Sequence, residues 1–486
     1  MGQKIWSACL SLCAAAASAQ ADVVTDWNNV LLDTIRAVGG GPCPISRGNA
    51  MVHVAMFDAI NSVDRIYEPY VGFFPCPPGA SKEAAAAQAA RDCLVHLYPS
   101  RTPIYDAALA NSLAGIPNGP GKTAGISLGT LTAQGCIQSR SNDGTQNLPP
   151  FVQGTNPGDW KPTYPDFTAI PHAHGWGKTK PWVMNNVRRF VDKGPAGYTN
   201  MNQWLRSNRY AADFNEVKSL GALNSTTRTD EQTRIAFFWA NDVNGTYKPP
   251  GHLNYITQVI ADQQDLDLGE RARIFALANL AMGDAGVAAW YTKYETNIDL
   301  WRPITGIREA DTDNNPNTVK DANWEPINPF TPPFPAWASG HATFGGAHAG
   351  VMASFFCTDN ITFTIDSEDP FYQALPSHPT RTFNRFSDAA WENAISRLYL
   401  GVHWRVDAET GNRAGLKIGE YAVDKFLRPR NKADFNRDGS KNVQDVMAFL
   451  GAFQQQNWRA DFSCDGRVDG RDTFAFLICY LGNNCH

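Results

Sequence analysis

The stretch Pro332-Pro-Phe-Pro-Ala-Trp-Ala-Ser-Gly-His-Ala-Thr-Phe-Gly-Gly346 changes character at Ser339. Before it, closely spaced prolines impose an irregular loop. After it, small and apolar residues run from Ala342 to Phe356. That change reads as a helix start, with Ser339 at the N-cap and the free backbone N–H groups around Gly340 able to face an anion. Gly340 lets a ligand approach the backbone without a Cβ in the way, and His341 can donate or accept a proton. A second stretch, Ser396-Arg-Leu-Tyr-Leu-Gly-Val-His-Trp-Arg-Val-Asp407, places His403 and Asp407 four residues apart. If a helix from Ala389 continues to Asp407, the two share a face, and the carboxylate fixes the imidazole tautomer and raises its basicity. A third segment runs from Lys293 to Arg302-Pro303. Nothing obvious neutralises Lys293, Arg302 and Arg397 together. Guanidinium forks of this kind bind the paired oxygens of a tetrahedral oxyanion.

Working outward, apolar periodicity predicts helices over Glu83–Leu97, Glu231–Ala240, Glu270–Tyr291, Ala389–Leu400 and Gly411–Phe426. Sustained strand alternation is missing, so the fold class is all-α. Long stretches rich in Pro, Asn, Asp and Gly, Ser141–Trp182 and Asp311–Ala338, separate the helices. Loops of that length inside a domain are usually functional or stapled. The glycines between Gly340 and Gly350 indicate close helix packing, since no Gly-Lys-Ser/Thr follows them to mark a nucleotide loop. His53, His96, His172, His174, His252, His348 and His378 read as hydrogen-bonded structural residues.

Composition excludes several classes. Lys+Arg 42 against Asp+Glu 47 gives a net charge of −5, so there is no basic field for nucleic acid. With 43% hydrophobic and 18% charged residues the 486-residue chain has the means to build a large core. Lys4, the apolar run Ile5 to Ala17 and Ala-x-Ala sites ending at Ala19 or Ala21 predict an export signal over residues 1–21. About 13 apolar residues fall short of the ~20 that span a bilayer, and no later segment is expected to span one. Removing the signal leaves eight cysteines, which allow 105 pairings. Five lie from Cys43 to Cys357 and three (Cys464, Cys479, Cys485) at the C-terminus. Both groups are odd, so complete pairing requires at least one bridge between them; otherwise each keeps a free thiol.

Residues 22–428 therefore read as one large helical domain, followed by the charged hinge Arg428-Pro-Arg-Asn-Lys432 and a module over 429–486. In that module Asp434-Phe-Asn-Arg-Asp-Gly439 recurs 27 residues later as Asp461-Phe-Ser-Cys-Asp-Gly466. Asp434, Asn436, Asp438, Ser440 and Asp445 fall at positions 1, 3, 5, 7 and 12 of a calcium loop, and Asp461, Ser463, Asp465, Arg467 and Asp472 repeat the pattern. Ser440 and Arg467 would contribute backbone carbonyls. Asp at position 12 and the short separation of the loops resemble a dockerin-type module. That resemblance implies calcium and a protein or cell-surface partner.

The three cationic segments resemble the signature of the superfamily of type 2 phosphatidic acid phosphatases, bacterial acid phosphatases and vanadium-dependent haloperoxidases. The long wording of the second and third segments is similar to the vanadium chloroperoxidases. Val24-Thr-Asp-Trp-Asn28, Ala50-Met-Val-His-Val-Ala-Met-Phe-Asp58 and Phe238-Trp-Ala-Asn-Asp242 resemble bacterial haloperoxidase-like proteins. The resemblance covers about residues 22–428. It implies two four-helix bundles, with vanadate held by Lys293, Arg302, Ser339, the Gly340 N–H and Arg397. His403 is then the axial ligand to vanadium and His341 the acid–base group. Asp242 orients Arg397, and Trp290 and Phe334 line the halide region. Phe334, where algal bromoperoxidases carry His, leans towards the chloroperoxidase side. Two departures stand out. Eight residues separate Lys293 from Arg302, two more than the family pattern, and on a continuous helix this rotates the arginine by about 200°, so a bulge or loop must absorb them. Ala338 replaces the usual Pro before Ser-Gly-His.

The implied activity is oxidation of halide by hydrogen peroxide to hypohalous acid, which then attacks a small organic acceptor. The same cage suits phosphate. In that alternative, a vanadate-inhibited acid phosphatase, His403 attacks phosphorus and His341 protonates the leaving alcohol. A third reading makes the chain an extracellular scaffold serving the calcium module.

Overall fold

The computed structural model describes residues 22–147 and 149–482. The expected export signal and Cys485 lie outside them. The architecture is all-α. Among the described residues the sole strand pair is Phe363–Ile365 running antiparallel to Arg381–Phe383. The five expected helices appear as Lys82–Leu97, Asp230–Phe238, Leu268–Tyr294, Phe386–Tyr399 and Arg405–Lys425. The two long irregular stretches hold no α-helix among their described residues.

Helix Leu268–Tyr294 organises the molecule. It starts at a reciprocal cap, in which the Asp267 carboxylate accepts from the Glu270 N–H and the Glu270 carboxylate from the Asp267 N–H. One side packs on Pro42–Asp64, which belongs to a first helical group with Lys82–Leu97 and Pro120–Ser139. Its other side joins Gly340–Phe355, Phe386–Tyr399 and Arg405–Lys425 in a second four-helix group. By length and composition alone this helix is apolar enough to cross a membrane. However, 94% of that apolar window is buried inside the protein. It is apolar all round because other helices cover it all round.

The contact that builds the site runs between Gly340–Phe355 and Arg405–Lys425. Gly411, Gly415 and Gly419 form one stripe at helical spacing. A Cβ added at Gly411, Gly415 or Gly419 would lie 2.6, 2.2 or 2.3 Å from the carbonyl oxygens of Ser339, Thr343 and Ala347. Gly346 and Gly350 answer from the other side, against the carbonyls of Asn412 and Leu416. The two backbones therefore touch directly, and the N-terminal ends of both helices come together, with the Ser339 N–H donating to the Asp407 carbonyl at 3.1 Å.

The C-terminal module folds around its own repeat. Phe449 and Phe476, related by the 27-residue shift, stack with ring centroids 4.3 Å apart. Phe435 and Phe462, also equivalent, meet them edge-on at 5.4 and 5.5 Å. Arg428–Lys432, expected as a hinge, is pinned instead. The Glu68 N–H donates to the Arg428 carbonyl at 2.8 Å and the Arg430 N–H to the Ile66 carbonyl at 2.9 Å. The module is also clasped to the large domain. Cys464 is disulfide-bonded to Cys357, which supplies the bridge between the two cysteine groups. Arg437 and Arg459 both donate to Glu270, which is 1% exposed, and Trp458 packs on Phe355 and Phe356. Arg437 and Cys464 occupy the same place in the two loops, and both have a left-handed backbone, with φ of 60°. Loop 1 thereby grips the start of the Leu268–Tyr294 helix, while loop 2 grips Cys357, two residues past Gly340–Phe355.

Candidate active site

Four helix ends and a proline-rich loop meet around a cavity of about 220 Å³. Ser339 is the N-cap of Gly340–Phe355, its hydroxyl accepting from the Ala342 N–H at 3.4 Å. His341, in the first turn, points into the cavity beside Asp242 and Arg397. Arg397 lies in the last turn of Phe386–Tyr399. The expected continuous helix from Ala389 to Asp407 is not formed. Phe386–Tyr399 ends, Gly401 turns the chain with φ of 77°, and a new helix starts at Arg405. His403 sits in the connection and Asp407 in the next first turn, yet His403 Nδ1 still meets Asp407 Oδ2 at 3.0 Å. A loop thus delivers the pairing that sequence spacing assigned to a helix face.

The hydrogen bonds assign the His403 tautomer. Nδ1–H donates to Asp407, leaving Nε2 as an acceptor, which receives a bond from Arg302 Nη1 at 3.0 Å. Burial, reinforced by Arg302, Lys293 and Arg397, holds the imidazole well below its ordinary range, so it is neutral with a lone pair on Nε2. Burial pushes the Asp407 carboxyl up to about 7, against the Trp404 N–H and the neighbouring cations.

Arg302 is the N-cap of Pro303–Arg308, after a connection that begins where Leu268–Tyr294 stops. That connection absorbs the two extra residues after Lys293. Arg302 Nε donates to the Phe334 carbonyl and Nη1 to the Val402 carbonyl, both at 2.7 Å. Its Nη2 is buried without a partner. Arg397 donates through Nη2 to Asp242 Oδ2 at 2.6 Å, which realises the expected orienting carboxylate. Its Nε and Nη1 are also buried without partners. Both guanidinium groups belong to residues with 0% exposure. Leaving three charged N–H groups unsatisfied is costly, and it is the mark of a cradle shaped for an anion's oxygens.

Lys293 lies behind this cradle rather than in its wall. Its ammonium donates to the carbonyls of Pro335, Ala336 and Ala338 at 2.7, 3.1 and 2.5 Å, which takes up all three protons. Burial and then Arg302 push it well below the usual lysine range. In this arrangement it holds the loop ahead of Ser339. Trp290 and Phe334 do line the cavity, with ring centroids 5.0 Å apart. Burial, with Arg397, lowers the His341 imidazole to about 4, and its Nε2 lies 3.1 Å from the Ala240 carbonyl. Burial opposes ionisation of Asp242, but Arg397 and His341 outweigh it and hold the carboxyl below its ordinary range.

Among the cavity residues that the sequence reading did not assign, two carry ionisable side chains. His172, taken as structural, faces the cavity with a buried Nε2 that has no partner. It is carried by the long 141–182 loop, whose irregular sequence gives no spacing signal. Lys248, the first residue of Lys248–Gln263, also lines the wall. The other expected structural histidines with contacts behave as such. His53 stacks on Phe275, His252 meets the Asp366 carbonyl at 3.0 Å and His348 the Thr257 hydroxyl at 3.0 Å.

The VCPO second helical-bundle domain matches residues 273–432, the segment that carries Lys293, Arg302, Ser339 to His341, Arg397 and His403. Over that segment the chain is similar to the vanadium chloroperoxidases. Vanadium chloroperoxidase of Curvularia inaequalis is 30% identical over 325 residues, which is 57% of this chain and 51% of that protein. The chain thus spans about half the length of this curated relative. The solved structure of the first bacterial vanadium-dependent iodoperoxidase matches with a TM-score of 0.69 at 25% identity, covering 84% of this chain and 97% of that one. A bacterial vanadium-dependent chloroperoxidase in its holo form matches with a TM-score of 0.61 at 16% identity, covering 80% and 93%, and shows the shared fold.

In the C-terminal loops, Gly439 and Gly466 make the expected turns, with φ of 86° and 80°. Asp434 Oδ2 accepts from the Gly439 N–H and Asp461 Oδ2 from the Gly466 N–H. Asp445 caps its loop by accepting from the Asn436 and Asn442 N–H groups, and Asp472 does the same from Ser463 and Asp469. Asn436, Asp438 and Ser440 are exposed, as are Ser463, Asp465 and Arg467. Among the described residues no three His, Cys, Asp or Glu side chains are gathered to hold a metal ion.

Proposed function

We propose that this chain is a vanadium-dependent haloperoxidase, converting halide, hydrogen peroxide and a proton to hypohalous acid and water. The observation that carries the reading is the buried trio of unpartnered guanidinium N–H groups on Arg302 and Arg397 beside the acceptor Nε2 of His403. That donor set fits a tetrahedral oxyanion with a nitrogen ligand. Arg302, Arg397, the Ser339 hydroxyl and the Gly340 N–H would hold vanadate, and His403 Nε2 would bind its metal. When bound, vanadate supplies Lewis acidity that activates hydrogen peroxide without a change in metal oxidation state.

The rest is the work of the chain's own groups. Asp407 keeps the proton on His403 Nδ1, so that Nε2 stays free. Asp242 aims the Arg397 fork and lies 3.8 Å from His341 Nε2. Held low by burial and Arg397, His341 gains basicity once an anion offsets Arg397, which suits it to hold and return the proton that the reaction consumes. Trp290, Phe334 and the prolines exclude water from the halide's approach. The test is halide oxidation by the purified protein with added orthovanadate, beside phosphoester hydrolysis. Vanadate-dependent oxidation lost in His403→Ala is the expected result. Phosphatase turnover that vanadate merely inhibits would overturn it.

We also propose export and a calcium-binding role for the C-terminal repeat, with a protein or cell-surface partner. The Cys357–Cys464 disulfide supports an oxidising compartment. The duplicated loop residues and their glycine turns support calcium, which would have to draw the position 1, 3, 5 and 12 side chains inward. A rise in melting temperature with calcium that chelator reverses is expected. No rise at millimolar calcium would remove the metal from the reading.

A further inference from the structure

We propose that Lys248 is a specificity-determining residue, holding the halide ion in the apolar approach to the cage. The inference rests on the haloperoxidase reading of the same cavity. Three observations carry it. The side chain lines the cavity with Asp242, His341 and Arg397, yet the residue is only 6% exposed. Its ammonium is spent once, on the Asp242 backbone carbonyl at 2.5 Å. Among the described residues no carboxylate oxygen lies within ion-pair distance of it, because the Asp242 carboxylate is turned to Arg397 instead. Two N–H donors and a positive charge therefore remain for a ligand. Lys248 also sits at φ of 57°, in the left-handed region that a lysine rarely adopts. Pro249 and Pro250, with the Thr246 hydroxyl accepting from the Lys248 N–H at 3.3 Å, fix the backbone there. Strain of this kind persists where the surroundings over-determine it.

The physical need is clear. A halide leaving water for a wall of Trp290, Phe334 and prolines loses its hydration, and a cation with free donors can replace it. Arg302 and Arg397 are committed to the oxyanion, and the three protons of Lys293 go to carbonyls. Lys248 is the cation left for a second, smaller anion, on the His341 side where a proton is also needed. Burial lowers the ammonium's affinity for its proton, partly offset by Asp242, and a bound anion would restore it.

The experiment compares the vanadate-loaded protein with Lys248→Met and Lys248→Arg. A charge-assisted contact predicts that the bromide KM rises about tenfold in Lys248→Met and recovers in Lys248→Arg, with vanadate affinity kept within about threefold. An unchanged bromide KM, or loss of vanadate binding in its place, overturns the proposal. A bromide-soaked crystal, read by anomalous scattering, needs no turnover. A peak beside Lys248 Nζ in the parent and not in Lys248→Met supports the site, and its absence in the parent refutes it. A parent that shows the peak but oxidises no halide would refute the haloperoxidase reading while leaving Lys248 an anion site.

Discussion

Replacing Gly415 with alanine puts a methyl group where two helix backbones touch. The added Cβ would lie 2.2 Å from the Thr343 carbonyl oxygen, 2.6 Å from the Ala347 nitrogen and 2.9 Å from the Gly346 carbonyl carbon. All three are backbone atoms that no rotamer change can move. Ordinary contact begins at 3.4 Å, so the helices Gly340–Phe355 and Arg405–Lys425 must part by roughly 1 Å. Overpacking of this kind costs about 1–3 kcal/mol, from which alanine's better helix propensity returns at most about 1 kcal/mol. The separation also strains the Ser339 N–H to Asp407 carbonyl bond, and with it the register between the anion-binding turn and His403. Denaturant unfolding should therefore show a lower midpoint at unchanged slope. Orthovanadate affinity, measured under native conditions, should fall by more than the stability loss explains. Gly451→Ala is the control. It lies within helix Val443–Gln454, where an added Cβ meets nothing within 4 Å, and should be neutral or stabilising by about 0.5–1 kcal/mol. A Gly415→Ala protein with the parent's midpoint and anion affinity would refute backbone contact as the device that sets the cage.

Two further outcomes follow from charge. His341 is held at about 4 by burial and Arg397, below its unfolded value of 6.5, so it is neutral in the unliganded fold and costs stability as pH falls from 6.5 towards 4. Binding sulfate, which does not titrate in that range, should raise its affinity for a proton; calorimetry in buffers of different ionisation enthalpy should then show proton uptake at pH 5–6, absent in His341→Gln. Glu270 is the opposite case: burial disfavours its charge, but Arg459 and Arg437 outweigh that and lower it to about 2 from 4.5. Its contribution, about 3 kcal/mol, is complete above pH 4.5 and is lost as pH falls through 2. Glu270→Ala should cost about 3 kcal/mol by removing the carboxylate that Arg459 and Arg437 share, although Arg437 keeps Asp267, and limited proteolysis should then cut near the 428–432 connection. Protease resistance equal to the parent's would show that the Glu270 clasp does not hold the module.

Period and capping chemistry are local, and they were legible in the chain alone. The five helices, the Ser339 cap and the duplicated turns follow from residues within a few positions of one another, whereas counting cysteines left open whether a bridge joins the two groups. The oxyanion-binding residue types were equally plain, because cations without counter-ions announce a ligand whatever the fold. Direction was not legible. That Lys293 turns to three carbonyls 42 to 45 residues on, that His403 reaches Asp407 from a connection, and that His172 and Lys248 enter the same cavity depend on how the packed core sets each segment. The docking of the module is of the same kind, since nothing near Arg437 in sequence names Glu270 as its partner. A side chain's identity and local backbone preference are written along the chain; which atoms meet it is fixed only when burial of the whole core chooses one packing, through contacts such as the Gly411, Gly415 and Gly419 stripe.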